Sequence, residues 1–176
     1  MNEINGLPAH ILIVHFVVVG VPLAALLTVL SACWPAARRR LGIVTPIVAA
    51  LALISVPVAT NAGEWLQHHL MGFASNPLAQ RHAELGDDLL VWVIGMFAAA
   101  ALAWGLPVLG GRSGAPEWLG GMPVRVVIAV LAVGFAAVSV VQTVRIGEAG
   151  SKATYTGIVC ADPIGADGTC ARPLGS

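Results

Sequence analysis

Histidine and carboxylate side chains bind metals and move protons near neutral pH, and in this chain they are concentrated. The stretch GEWLQHHLMGFASNPLAQRHAELGDD, residues 63–88, carries His68, His69 and His82 together with Glu64, Glu84, Asp87 and Asp88. The other two of the five histidines, His10 and His15, fall in LPAHILIVHF near the start. Thr60, Glu64 and His68 recur every four residues, a spacing that a helix turns into one polar stripe. Three chemistries fit these groups. Imidazoles from two helices can ligate a haem b iron, with arginines for its propionates; the pairs would be His15 with His68 or His82, and the arginines Arg81 or Arg145. By ligand type, His10, His15, Glu64, His68, His82 and Asp88 equally suit zinc or copper. A proton-responsive network is the third. Against all three stands interhelical hydrogen bonding without a cofactor, with His15 bonded to Asn61 or Glu64.

Four apolar runs, 11–34, 43–62, 89–109 and 124–146, have to position these groups. Each is about 20 residues, enough at ~1.5 Å per residue to cross a hydrocarbon layer of ~30 Å. The chain is 57% hydrophobic and 10% charged, with a mean hydropathy of +0.86, against the roughly 25% charge of a soluble domain. Lipid cannot satisfy backbone polar groups, so each run is predicted to be helical, and Pro22, Pro46, Pro57 and Pro107 are tolerable there as kinks. Alternating segments of about 10 residues, which a barrel needs, do not occur. The expectation is an all-α integral membrane four-helix bundle over residues 1–157, with helices near 10–34, 43–69, 84–109 and 124–147. A Gly/Pro-rich tail, 158–176, follows. No internal repeat is evident. Small residues in GMFAAAALAWG and AVGFAAVSVV allow close packing inside the bundle or against a second copy or partner subunit, so a non-catalytic membrane scaffold is the alternative reading.

Arg38, Arg39 and Arg40 occupy the first connector, and Arg112 and Arg125 flank the third; only Glu117 opposes them on that side. The positive-inside rule makes these connectors cytoplasmic. Both termini and every histidine then share the external face, and His15, about 7 Å below His10 by helical rise, is the most sheltered. It is therefore expected to be the central ligand, with His68 and His82 as partners. His10 is expected to be secondary, because five residues rotate it about 140° away. The first run has no basic residue ahead of it and arginines behind it, the flank of a retained segment; LSAC is thus not read as a cleavage box, and Cys33 is expected to be a buried, inert thiol. Cys160 and Cys170, close together in the tail on the oxidising side, are expected to be bridged. No basic surface for nucleic acid is left. No nucleophile with a base at useful spacing appears, nor a phosphate loop, so no catalytic residue is assigned.

LPAHILIVHF resembles the helix-one signature of the family called domain of unknown function 2231, small four-helix bacterial membrane proteins; His10, His15 and Phe16 match it. AQRHAELGD is similar to the histidine opening that family's third helix, here His82. VRIGEAGSKATYTG resembles the family's ending of helix four, through Gly147, Gly150, Tyr155 and Gly157. Many members have a histidine where Glu148 stands, which makes Glu148 a further metal-ligand candidate. The likeness runs to about Gly157. It implies a multi-pass protein of the bacterial cytoplasmic membrane with a haem- or metal-related role, through relatives joined to Rieske-type or cytochrome-like domains, as an accessory to a respiratory or redox assembly. The arginine distribution yields a direct test: a reporter that is active only outside the cytoplasm, fused at Gly175, is expected to be active, and activity of a cytoplasm-only reporter there would reverse the orientation.

Overall fold

The computed structural model describes residues 3–4, 7–69, 76–111, 116, 121–156 and 159–160. Two short antiparallel strands, β1 (Glu3–Ile4) and β2 (Leu7–Pro8), lead into α1 (Ala9–Cys33). Then follow α2 (Pro35–Leu41), α3 (Val44–His69), α4 (Pro77–Gly110) and α5 (Met122–Tyr155). Around the bundle the order is α1, α3, α4, α5, so that α1 and α4 face each other diagonally. These four helices are long and apolar enough to cross a membrane. Their outer surface agrees: Phe16, Val19, Val91, Val130 and Val144 are each more than 60% exposed, an apolar coat stable against lipid rather than water. The protein is a multi-pass membrane protein.

Local chemistry sets the helix ends. Asn76 caps α4, its Oδ1 accepting from the Leu78 and Ala79 amides at 3.0 and 3.2 Å, with Pro77 in the first helical position. This Asn-Pro start opens the helix at 77 rather than near 84. At the other end of the chain, α5 continues to Tyr155 through the Gly-rich segment, where Lys152 pairs with Glu148 at 2.7 Å. The first connector contains a helix of its own, α2, with Pro35 at its start; Gly42, at φ 49°, makes the turn into α3 that a side chain would strain. At 34 residues each, α4 and α5 are about 50 Å long and overrun the hydrocarbon. Their charged segments, 81–88 and 145–152, put that overrun at the histidine end.

The buried seam is built from small residues: Ala24, Ala25, Ala49, Ala52, Ala59, Ala99, Ala100, Ala103, Ala132 and Ala136, with Val17, Val21, Val56, Val93 and Met96 filling between them. Toward the arginine end, the Ser31 and Thr45 hydroxyls bond at 2.7 Å between α1 and α3. The seam contains a repeat that residue types conceal. A shift of 72 carries the buried Val17, Val21, Ala24, Thr28 and Ser31 of α1 onto the buried Leu89, Val93, Met96, Ala100 and Ala103 of α4. A shift of 87 carries Thr45, Ala49, Ala52 and Val56 of α3 onto Ala132, Ala136, Ser139 and Thr143 of α5. The hairpins α1–α3 and α4–α5 are thus two versions of one unit. Cys33 is exposed rather than buried, because two residues past Ser31 rotate it about 200° away from this seam.

α4 and α5 pack tightly at Gly95, where an added Cβ would overlap the edge of the Phe135 ring, itself 6.2 Å from Trp92. Gly95→Ala is expected to lower stability by about 1–3 kcal/mol through overpacking, read as a fall in the midpoint of thermal or denaturant unfolding in detergent; an unchanged midpoint would mean that the ring yields freely.

Candidate cofactor site

At the histidine end the four helices line an open cavity of about 730 Å³. Its floor is formed by Val17, Val56 and Leu89, and its walls carry His10 from α1, Thr60 and Glu64 from α3, His82 and Asp87 from α4, and Gly150 from α5. His10 and His82, on the diagonal helices, face each other with ring centroids 6.2 Å apart and planes at 81°. Each ring is held from behind in the same manner. His10 Nδ1 lies 2.9 Å from the Ala59 carbonyl oxygen of α3, and His82 Nδ1 lies 2.9 Å from that of Ile146 of α5. A carbonyl only accepts, so both Nδ1 atoms carry hydrogen and donate. In the neutral rings this leaves the Nε2 lone pairs as ligands or proton acceptors. Donation from the remote ring nitrogen to a backbone carbonyl is the arrangement that orients a ligating histidine and fixes its tautomer.

The second helix of each hairpin makes room for the ring. Four residues past Ala59 is Gly63, where a Cβ would meet His10 at 3.1 Å; four past Ile146 is Gly150, where one would meet His82 at 3.0 Å. The shifts that superpose the buried seams also carry His10 to His82, Ala59 to Ile146 and Gly63 to Gly150. Each hairpin therefore contributes the same half-site: histidine, carbonyl, glycine.

Of the residues picked out by sequence, the fold brings His10, Glu64 and His82 to the cavity, with Thr60 beside them. His15, the expected central ligand, is exposed on the opposite face of α1, its Nδ1 donating to its own helix at Ile11 O, 2.6 Å away. The correction follows from helix phase. His10 precedes Val17 by one heptad and shares its inward face, whereas His15 precedes it by two residues and points outward. His68 is exposed beyond the polar stripe of Thr60 and Glu64, and His69 stacks on Trp65 with centroids 4.1 Å apart. Arg81 pairs with Glu84 at 3.3 Å on the surface, Glu148 pairs with Lys152, and Arg145 and Asp88 are exposed; none of these four candidates lines the cavity. Asp87 does so in place of its neighbour Asp88. Asn61 bonds the Pro57 carbonyl of its own helix rather than His15. Among the described residues, no three His, Cys, Asp or Glu side chains converge as a metal-binding group. Cys160 is disulfide-bonded; Cys170, its expected partner, lies outside the described residues. Gly63 and Gly150 escaped the sequence reading as site residues, although each lies four residues past the position its histidine bonds.

Comparisons of the chain with protein-family models, with curated proteins and with solved structures find no match. The site thus rests on its own geometry, and the two glycines test it. Gly63→Ala and Gly150→Ala are each expected to displace the facing imidazole by a few tenths of an ångström and loosen its carbonyl bond. The measure is the ring Nδ1–H proton signal of the affected histidine, which is expected to exchange faster with solvent; an unaltered signal would separate these glycines from the histidines.

Proposed function

We propose that the protein is a haem b protein of the bacterial cytoplasmic membrane, with His10 and His82 as the two axial ligands. The observation that supports this reading is the pair of imidazoles, each anchored through Nδ1, facing each other across a cavity shared by four helices. Two imidazoles that hold one ion from opposite sides, with metal–nitrogen bonds of ~2.0 Å and ring centres about 1.1 Å behind each Nε2, have centroids roughly 6.2 Å apart, the spacing found here. A cavity of about 730 Å³ lies within the ~300–1,000 Å³ typical of organic cofactors and far exceeds what a hydrated ion requires. A haem brings four of its own iron ligands, so two histidines complete the set; zinc or copper in this position would draw further ligands from Glu64, Asp87 or water.

In this reading a haem held by His10 and His82 would supply single-electron chemistry, and Val17, Val56 and Leu89 would screen it from water. With both termini and the histidine end outside the cytoplasm, as the arginines imply, its partner would be on the external side, in a respiratory or redox assembly or a second copy of the chain. Membership of the family called domain of unknown function 2231 is part of the same proposal, supported by the motifs around His10, His82 and Gly150.

The test is the visible spectrum of detergent-purified protein expressed with haem available. The wild type is expected to show the Soret and sharp reduced α bands of a six-coordinate, low-spin haem. His10→Ala and His82→Ala are each expected to abolish that signature, whereas His15→Ala and His69→Ala retain it. Bound zinc or copper with no Soret band would replace haem by a metal ion, and a low-spin spectrum that survives in His10→Ala would remove the proposed ligand pair.

A further inference from the structure

The opposite end of the bundle carries a second feature, unrelated to the histidine site. Arg38, from α2, and Arg125, from the first turn of α5, line one small cleft with Ala32 of α1 and Leu102, Leu106 and Pro107 of α4. The fold thus brings two guanidinium groups, 87 residues apart in sequence, to one point. Arg38 is half-buried, and its pKa is lowered first by burial and then by the nearby charges of Arg125 and Arg39. Like charges gathered in a partly desolvated setting repel and require a counter-charge. The described acids Glu3, Glu64, Glu84, Asp87, Asp88 and Glu148 all belong to the histidine end. The one acid that the sequence supplies to the arginine-side connectors, Glu117, lies outside the described residues.

The shape of the cleft narrows the choice of anion. It measures about 20 Å³, room for an oxygen or two of an oxyanion and no more, because a single water needs ~10–15 Å³ by the same measure. The remainder of the ligand has to lie outside it. What surrounds the opening is apolar: Leu102, in the lining, is 43% exposed, and Pro107 beside it is exposed as well. An arginine pair at the depth of the headgroups, opening onto a wall that an acyl chain can follow, matches an amphiphile whose charge is a phosphate. Guanidinium groups are suited to phosphate by their planar fork of donors, and basic pockets between membrane helices recognise phospholipid headgroups.

We propose that Arg38 and Arg125 together seat the phosphate of an anionic phospholipid, with its acyl chains running along the outward faces of α4 and α5. The probe is phosphatidylglycerol against phosphatidylcholine, titrated onto the delipidated full-length protein and followed by native mass spectrometry. Wild type is expected to retain phosphatidylglycerol about tenfold more tightly, since each arginine near an anionic surface contributes a several-fold preference. Arg38→Gln and Arg125→Gln are each expected to remove most of that preference, whereas Arg40→Gln, exposed and outside the cleft, keeps it. Helix content by circular dichroism establishes that each variant is folded. The wild-type comparison needs no variant at all: equal retention of the two lipids overturns the proposal. So does an unchanged preference in the Arg38→Gln/Arg125→Gln double variant. Protection from thermal unfolding by inorganic phosphate equal to that by phosphatidylglycerol would identify a free-anion site and likewise overturn the lipid.

Discussion

Lipid gives helices no hydrophobic reason to associate, because its tails are as apolar as leucine; contact has to come from close packing at small residues. That constraint governs everything else in this bundle. With apolar residues on all sides of every helix, the position of alanine, glycine, serine and threonine decides which face turns inward. On α1 the inward face runs through Val17, Val21, Ala24, Thr28 and Ser31. One heptad above Val17 it reaches His10, and it passes His15 by. The identity of the site histidine is therefore decided by alanines and valines several turns away, rather than by the histidines' own depth.

The same constraint explains what the sequence revealed and what it concealed. Composition and run length were sufficient for the four spanning helices, because lipid leaves a backbone few alternatives. They were not sufficient for rotation about the helix axes. An all-apolar helix has no polar side to mark its exterior, so the depth argument favoured His15. The small-residue seam carried the missing phase and was read only as a general licence for packing. Helix boundaries depart from expectation where polar residues enter: Asn76-Pro77 is a start signal two turns ahead of Glu84, and the segment 147–150 stays helical, with Gly150 packed on His82. The repeat was invisible for a related reason. Val17 and Leu89, or Ala52 and Ser139, are equivalent as packing units and unlike as letters.

A buried imidazole has two polar nitrogens to satisfy. In both hairpins one nitrogen is satisfied by a carbonyl in the middle of a helix, which a helix can supply through its second lone pair without breaking its own ladder. The glycine one turn beyond that carbonyl is what lets the ring lie against the backbone. The arrangement fixes tautomer and ring plane together and leaves the ligand atom to something outside the chain. Because each hairpin holds only half of the site, the pair exists only when the hairpins are docked. A ligand that requires both histidines therefore binds only the assembled bundle and stabilises it by mass action.

The two ends of the repeat have diverged to different degrees. At the histidine end the halves are matched in histidine, carbonyl and glycine. At the arginine end the two connectors differ in sequence: one, with three consecutive arginines, forms a proline-initiated helix and a glycine turn, and the other is Gly-rich. A duplicated unit is free to vary wherever its halves do not have to agree, so the symmetry that survives marks where agreement is still needed. Here it survives in the packing seam and around the two imidazoles. Arg38 and Arg125 converge at the other end, where the connector helix of one hairpin meets the first turn of a helix in the other.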